Sequence, residues 1–237
     1  MAKEIRKIHR DETLEFLLNI HYAKRIPTIS YSFGLYIEKK LQGVLTFGNP
    51  SGANVCNCIC GEKYRNEVLE LNRLVLLENK KNYASYFVAN AMKLLPKPNL
   101  IISYADVNFN HHGYIYQASN FIYTGLAKGR EKFTNKDGKD IPERTLTSLY
   151  KNANLSRSDY LQKFKIKLTR QAPKHRYIYI NGNKKDKKIR LKDLKLPIKN
   201  YPKGDNKRYF WKYDIKTQGL LFWKNKQTKK NENTWVR

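Results

Sequence analysis

Positive charge is concentrated in one part of this chain, and that asymmetry limits what a single compact core can contain. Residues 151–237 hold 26 lysines and arginines against 6 acidic residues, which is +20 of the formal net charge of +27. Self-repulsion at this density opposes a compact fold unless a polyanion compensates it. The distribution predicts two parts, a core over residues 1–150 and a basic, aromatic-rich extension over residues 151–237.

Nucleic acid is the polyanion that this composition favours, because lysine and arginine neutralise phosphates and aromatic rings stack on bases. The extension holds Trp211, Trp223 and Trp235, in a two-strand hairpin or a degenerate repeat. A solvated basic surface around a small aromatic core is the alternative. An anionic membrane is a weaker one, since no apolar run approaches the roughly 20 residues of a spanning helix.

The N-terminus and the cysteines predict a cytoplasmic protein. Residues 1–6 contain no apolar stretch of the signal-peptide type. Cys56, Cys58 and Cys60 are clustered and odd in number, which does not make a disulfide framework. Their alternation predicts one strand face with ordinary apolar packing rather than a zinc site.

The order of apolar segments predicts an α/β core. The chain is expected to begin with a short helix capped by Asp11, whose apolar face includes Leu18. Strands, helices and turn residues then follow in the order 29–37 (strand), 41–47 (strand), 68–77 (strand), 82–95 (helix), 100–104 (strand), 114–118 (helix) and 121–123 (strand). This order is typical of a central mixed sheet with helices on both faces.

The densest group of reactive side chains follows the strand expected at 100–104. Asp106 would lie at its carboxyl end, where α/β folds concentrate their active sites, with His111 and Tyr116 next along the chain. His21 and Tyr22 end the first helix. Imidazole, carboxylate and phenolate together suit iron or manganese better than zinc. His21 and Asp106 as simple helix caps are the structural alternative.

Polar residues inside the strand at 68–77 mark a second candidate site. Alternation places Glu70 and Asn72 on one face and Arg73 on the other. An internal salt bridge of Arg73, for instance with Asp106, and a contact with an anion or a substrate are equally open. Ser85 begins the long helix, where it either caps the first turn or contacts a phosphate or cofactor.

Several of these motifs together resemble the Mom family of phage proteins that modify adenine in DNA. The resemblance rests on Leu69 to Leu74, Asn82 to Ser85, and above all the stretch from Ser103 to Gly125, with Asp106, His111 and Tyr116 at matching spacings. It covers roughly residues 20–125. The resemblance implies a GNAT-like fold for the core and a phage-encoded enzyme that acts in the host cytoplasm.

The resemblance further implies conversion of adenine in double-stranded DNA to N6-carbamoylmethyl (methylcarbamoyl) adenine, which protects phage DNA from host restriction. It implies an iron ion held by four residues, namely His21, Tyr22, Asp106 and Tyr116. Arg73 and Ser85 match positions that contact substrate or an acyl cofactor. The target amine lies inside the duplex stack, so the base must flip out or the strands must open.

One departure from the GNAT pattern leaves the donor open. Residues 78–85 contain no glycine where such enzymes have a glycine-rich pyrophosphate loop, so acetyl-CoA or another small donor both remain possible. Two other functions also remain: an acyl-CoA-dependent acetyltransferase of a protein or small amine, and a non-catalytic DNA-binding protein. The sequence leaves the oligomeric state open, a homodimer included.

Overall fold

The described residues form two compact units. In the computed structural model these residues are 2–78, 80–129, 131–204, 209–213 and 221–225. The first unit is drawn from residues 1–104, 112–125 and 176–237, and the second from residues 105–111 and 126–175. The first unit contains most of the central sheet.

The N-terminal segment folds differently from the expected single helix. Strand β1 (Lys3–Lys7) is followed by a 3₁₀ turn over Arg10–Thr13 and a π-helical turn over Phe16–Ile20. His9, not Asp11, is the N-cap, because its Nδ1 accepts the Asp11 N–H while Glu12 accepts the His9 N–H in a capping box. Leu17 is fully buried and Leu18 is 40% exposed, so the expected apolar face is wrong at Leu18.

An antiparallel sheet follows, built from strands β2 (Tyr31–Ile37), β3 (Lys40–Gly48) and β4 (Val68–Leu76). Strand β1 pairs with β2, β2 with β3, and β3 with β4. The last six residues of β3, from Gly43 to Gly48, are all buried. A strand buried on both faces needs a nearly continuous apolar run, and the sequence GVLTFG meets that need.

The cysteines lie on a helix, so the strand expected there is wrong. Helix α1 (Ala53–Cys60) carries all three, and a 3₁₀ segment, Glu62–Glu67, follows it. Cys60 is buried, Cys56 is partly buried and Cys58 is exposed. Residues four apart share a helix face, which groups Cys56 with Cys60 and excludes Cys58. Burial raises the pKa of Cys60 to about 11, as in an ordinary packing residue.

The remaining elements of the sheet confirm the predicted order. Helix α2 (Tyr83–Lys93) leads to strand β5 (Asn99–Asp106), which pairs with β4 in parallel. Helix α3 (Tyr114–Ala118) and strand β6 (Ile122–Ala127) follow. The sheet order β1-β2-β3-β4-β5-β10-β6, in which β10 is Lys174–Asn181, confirms a central mixed sheet flanked by helices.

The strand between β5 and β6 comes from the region expected to form the extension. It is β10 (Lys174–Asn181), in which Tyr177 and Ile178 are completely buried. Helix α6 (Lys184–Lys192) follows it. The charge distribution gave no sign of this strand, because its charged residues lie at one end and its middle is apolar.

The second unit contains a small sheet of its own. Its strands, in the order β8-β7-β9, are β7 (Glu131–Thr134), β8 (Asp140–Ile141) and β9 (Lys167–Arg170). Helices α4 (Glu143–Asn152) and α5 (Arg157–Lys163) complete it. Phe133, Leu146 and Tyr160 form its core.

A two-strand hairpin over the first two tryptophans is confirmed. Strands β11 (Tyr209–Tyr213) and β12 (Leu221–Asn225) pair antiparallel, with Trp211 opposite Trp223. Trp235 lies outside the described residues. Among the helices that the structure describes, none is long and apolar enough to cross a membrane.

A tight contact of Gly48 gives a stability prediction. A Cβ on Gly48 would overlap the Thr28 carbonyl oxygen, whereas one on Gly52 meets nothing within 4 Å. We expect Gly48→Ala to lower the free energy of unfolding by about 1–3 kcal/mol, as overpacking does. Gly52→Ala is the control and should stay within about 0.5 kcal/mol of the wild type. Denaturant unfolding measures both, and equal midpoints for the two variants would contradict the packing described.

Candidate active site

A β-bulge in β4 organises the candidate site. Thr46 pairs with Arg73 and Phe47 pairs with Leu71, so Asn72 is an extra residue without an opposite partner in the ladder. An extra residue reverses the alternation of side chains beyond it. Glu70 and Arg73, expected on opposite faces, therefore share a face, and both act electrostatically on Tyr116.

Asn72 has a structural role, and a substrate contact by the same side chain stays a prediction. Its side-chain N–H donates to the Thr28 carbonyl at 2.8 Å, and its side-chain oxygen accepts the Thr46 hydroxyl at 2.6 Å. The amide thus ties the segment that follows His21 and Tyr22 to the bulge. Both ends of the amide are used by the protein itself.

Arg73 forms a cluster with Tyr22, Glu70 and Tyr116, all of which act electrostatically on it. Its Nη1 donates to the Asn72 carbonyl at 2.6 Å, while its buried Nε has no hydrogen-bond partner among the described residues. Burial lowers the pKa of Arg73, with Tyr22 and Glu70 opposing that change. A guanidinium stays charged under such conditions. A buried charged donor without an acceptor is costly, so this nitrogen is suited to an acceptor atom of a ligand.

Tyr116 projects from α3 towards the same cluster. Its ring is partly exposed, but the surrounding protein desolvates the hydroxyl, which raises the pKa of Tyr116 to about 12. A hydrogen bond with Ser103 and the charge of Arg73 act in the opposite direction. Ser103 also donates to the Leu71 carbonyl at 2.9 Å. Tyr116 is therefore a neutral phenol at neutral pH.

His21 and Tyr22 come directly after the π-helical turn. Their rings stack with centroids 4.3 Å apart and an interplanar angle of 30°. His21 is 9% exposed, and its Nδ1 accepts the Ala23 N–H at 3.0 Å. In the neutral ring the proton is then on Nε2. Tyr22 acts electrostatically on both Arg73 and Tyr116, which places it with the cluster.

Asp106 and His111 belong to the second unit. Asp106 is 9% exposed, accepts the Asn108 N–H at 3.0 Å and forms an ion pair with Lys174 at 2.8 Å. The suggested ion pair partner, Arg73, is thus replaced by Lys174. The capping role weighed for Asp106 is present, since it caps the 3₁₀ turn Val107–Phe109. The His111 N–H donates to the Asp106 carbonyl at 3.1 Å.

Ser85 makes a first-turn contact in α2. Its hydroxyl donates to the Asn82 carbonyl at 3.3 Å, and Asn82 itself is left-handed with a φ of 66°. The hydroxyl donates to a carbonyl and does not accept a backbone N–H of the described residues, so this is first-turn helix chemistry and not a cap. A contact of Ser85 with a cofactor stays a prediction.

The turn before α3 is stabilised by hydrogen bonds to Tyr177, a residue that the sequence did not single out. The Gln117 side-chain N–H donates to both the His112 carbonyl and the Tyr177 hydroxyl at 3.1 Å, and Tyr177 donates to the His112 carbonyl. Burial raises the pKa of Tyr177 to about 12. Gly113 has a φ of +76°, and a Cβ there would overlap the Tyr177 ring.

Ser103, Lys174 and Tyr177 are the site residues that sequence reasoning missed. Ser103 had a usable signal, because a polar residue within an apolar strand needs a partner. Tyr177 lies in a stretch with a strand pattern, but nothing in the sequence placed that strand, or Lys174 at its start, beside the other site residues, because it is far from them along the chain.

Iron at the four expected ligands stays a prediction, since no three histidine, cysteine or carboxylate side chains are grouped as a metal site among the described residues. Imidazole, phenolate and carboxylate are all iron ligands in proteins. A metal ligand on Nε2 of His21 would leave Nδ1 to carry the ring proton, yet Nδ1 faces the Ala23 N–H. The ring would have to turn over, Tyr116 would have to lose its proton, and Lys174 would have to leave Asp106.

Comparison with solved structures finds acetyltransferases of the GNAT class. A GNAT family acetyltransferase from Bacillus cereus ATCC 10987 is 13% identical with a TM-score of 0.41, covering 77% of this chain and 100% of that one. The putative acetyltransferase yncA from Salmonella typhimurium, solved with its cofactor acetyl-CoA, is 8% identical with a TM-score of 0.42. It covers 77% of this chain and 96% of that one.

The sequence comparison identifies the family. Residues 2–203 match the Mom protein family, so the chain belongs to that family. Methylcarbamoylase mom of Escherichia phage Mu is 27% identical over 190 residues, which are 77% of this chain and 76% of that protein.

The ionisation of Tyr116 is testable by spectroscopy. At pH 10 about half of an ordinary tyrosine is ionised, whereas Tyr116 should remain a phenol. The near-ultraviolet difference spectrum between wild type and Tyr116→Phe at pH 10 should therefore show no phenolate band. The same difference measured in denaturant is the control and should show a half-developed band. A half-developed band in the folded protein would refute the burial of this hydroxyl.

Proposed function

We propose that this protein modifies DNA by placing a carbamoylmethyl group on the exocyclic amine of adenine. Family membership and the methylcarbamoylase of phage Mu support this reaction class. The observation in the molecule that carries the proposal is the buried Nε of Arg73, which has no acceptor among the residues that the structure describes and lies beside Tyr22 and Tyr116. The carbamoyl oxygen of the transferred group is an acceptor of the kind that this nitrogen lacks.

The reaction forms a bond between N6 of adenine and the methylene carbon of the transferred group. One N6–H bond breaks, and the bond between the methylene carbon and its leaving group breaks with the electron pair going to the leaving group. Direct acyl transfer from acetyl-CoA would give an amide instead, so a donor with an electrophilic methylene carbon is required. The adenine must leave the base stack to reach the site.

Three side chains of this protein would have separate roles in the reaction. Arg73 would orient the carbamoyl oxygen, and the Tyr116 phenol would donate a second hydrogen bond. The Asp106 carboxylate would accept the proton lost from N6, with His111 beside it and Lys174 as its counterion. A positioned base of this kind contributes about 10²–10⁴-fold to a rate.

Iron belongs to the proposal as a resident ion. His21, Tyr22, Asp106 and Tyr116 would hold it in a metal-bound state in which Tyr116 is ionised and Lys174 has left Asp106, and when bound it would supply a redox-capable Lewis acid. The phenol and proton-acceptor roles of Tyr116 and Asp106 belong to the metal-free state. Double-stranded DNA is the proposed partner, and shielding of phage DNA from host restriction is the proposed biological outcome.

Mass spectrometry of nucleosides tests the reaction and the site. Genomic DNA from bacteria expressing the wild-type chain should contain deoxyadenosine heavier by one carbamoylmethyl group. Asp106→Asn and Tyr116→Phe should reduce that species by about a hundredfold or more, because a proton acceptor or a positioning donor is lost. Asp137→Asn, on an exposed turn of the second unit, is the matched control and should leave the modification intact.

The two possible failures have different meanings. Absence of the modified nucleoside with a folded, iron-replete wild type would reject the proposed reaction. Full modification by both Asp106→Asn and Tyr116→Phe would keep the reaction and reject the site.

Iron content tests the ligand set without any use of activity. Protein purified from iron-supplemented cells should contain about one iron per chain by elemental analysis if the four residues form one site. Tyr116→Phe should lower the content, and Tyr179→Phe, on the core strand β10, should not. Equal iron in wild type and Tyr116→Phe would remove Tyr116 from the ligand set.

A further inference from the structure

Helix α6 has an unusual concentration of positive charge. Its nine residues have the sequence KKDKKIRLK, in which five are lysines. All five lysines are exposed, namely Lys184, Lys185, Lys187, Lys188 and Lys192. Because residues four apart lie above one another on a helix, Lys184, Lys188 and Lys192 form a stripe along the outer face.

The arginine of the helix faces the protein instead. Arg190 is 6% exposed, and its guanidinium donates to both carboxylate oxygens of Glu67 at 2.8 and 3.0 Å. It also lies 3.5 Å from Asp186, which accepts the Asn183 N–H in the capping box of the helix. The bidentate pair of Arg190 and Glu67 determines which side of α6 faces the rest of the first unit.

The acidic groups near the helix are therefore already engaged. Glu67 and Asp186 pair with Arg190, and Asp193 pairs with Lys63 at 2.8 Å and accepts the Tyr64 hydroxyl at 2.6 Å. Within the part of the chain that the structure describes, no ion pair joins a lysine of α6 to a carboxylate.

The uncompensated lysines destabilise α6 when no anion is bound to it. Lys184 and Lys188, and Lys188 and Lys192, are like-charge pairs at a spacing that is unfavourable on a helix. Lys184 and Lys185 also stand in the first turn, where the helix dipole favours acidic side chains. An ordinary solvated helix carries alternating signs on its outer face, and α6 does not. An external polyanion would remove the cost.

We propose that the lysine stripe of α6 binds the phosphate backbone of duplex DNA. This inference rests on the proposed function, which supplies DNA as the polyanion. The stripe is about 12 Å long at 1.5 Å per residue, and a duplex presents about seven phosphates over that length. Lysine binds phosphate as a point charge and does not select a base, so the surface would hold any duplex sequence while the site selects adenine.

The test compares two triple variants in duplex binding. Lys184→Gln/Lys188→Gln/Lys192→Gln removes the stripe, and Lys39→Gln/Lys40→Gln/Lys81→Gln removes the same charge from exposed positions outside α6 in the first unit. Affinity for a short fluorescent duplex is measured over a range of salt. Thermal unfolding of each variant checks that it is folded.

The expected result is a change in salt dependence for one variant only. Each lost phosphate contact reduces the slope of log affinity against log salt by about 0.9, so the stripe variant should lose close to three units of slope. Between about 50 and about 200 mM salt, the wild type should then lose on the order of 40-fold more affinity than the stripe variant. The control variant should keep the wild-type slope.

Other outcomes overturn the inference and separate it from the proposed function. An unchanged slope in the stripe variant, with wild type still modifying adenine, would reject the surface and keep the function. Equal losses of slope in both variants would show that duplex binding depends on net charge and not on this surface. Loss of binding to phosphatidylserine vesicles with duplex affinity retained would assign the stripe to a membrane. A wild type that neither binds duplex nor modifies adenine would reject both proposals.

Discussion

The extra residue in β4 is the constraint on which the candidate site depends. Without the bulge at Asn72, Glu70 and Arg73 would face opposite sides of the sheet, instead of sharing a face with both acting on Tyr116. The displaced amide also bonds to Thr28, so the same irregularity anchors the segment that follows His21 and Tyr22. One inserted residue thus sets the face on which Arg73 lies and anchors the segment that follows the stacked rings of His21 and Tyr22.

Sequence patterns predicted the central sheet because most of its strands have strong local signals. Continuous apolar runs and prolines after α2 located β2 to β6, and the mixed sheet followed from their order. The cysteine helix was mistaken for a strand. Three cysteines at alternate positions suggest one strand face, but only Cys60 is fully buried, and such a spacing is equally possible on a helix. Residues 176–180 have the pattern of a strand, but the place of β10 in the central sheet was not predicted, because its partners β5 and β6 lie about fifty residues or more before it and pairing across such a distance leaves no local pattern.

The residues of the candidate site were selected from their types, their positions and the family resemblance, and their functional roles stay predictions. Of these residues, the structure brings Tyr22, Arg73 and Tyr116 into electrostatic interaction with one another. The role of Asn72 depended on a register shift that alternation does not show. The partner of Asp106 depended on Lys174, which starts the strand that the sequence did not assign to the core.

The position of β10 also has a consequence for how such a protein can evolve. Residues 126–175 leave the sheet at the end of β6 and return at the start of β10, and these two strands are neighbours in the sheet. Neighbouring strands are only about 4.8 Å apart, a gap that a turn of a few residues can close. The segment is therefore a module that can lengthen, shorten or be exchanged between relatives without altering the order of the strands around the bulge.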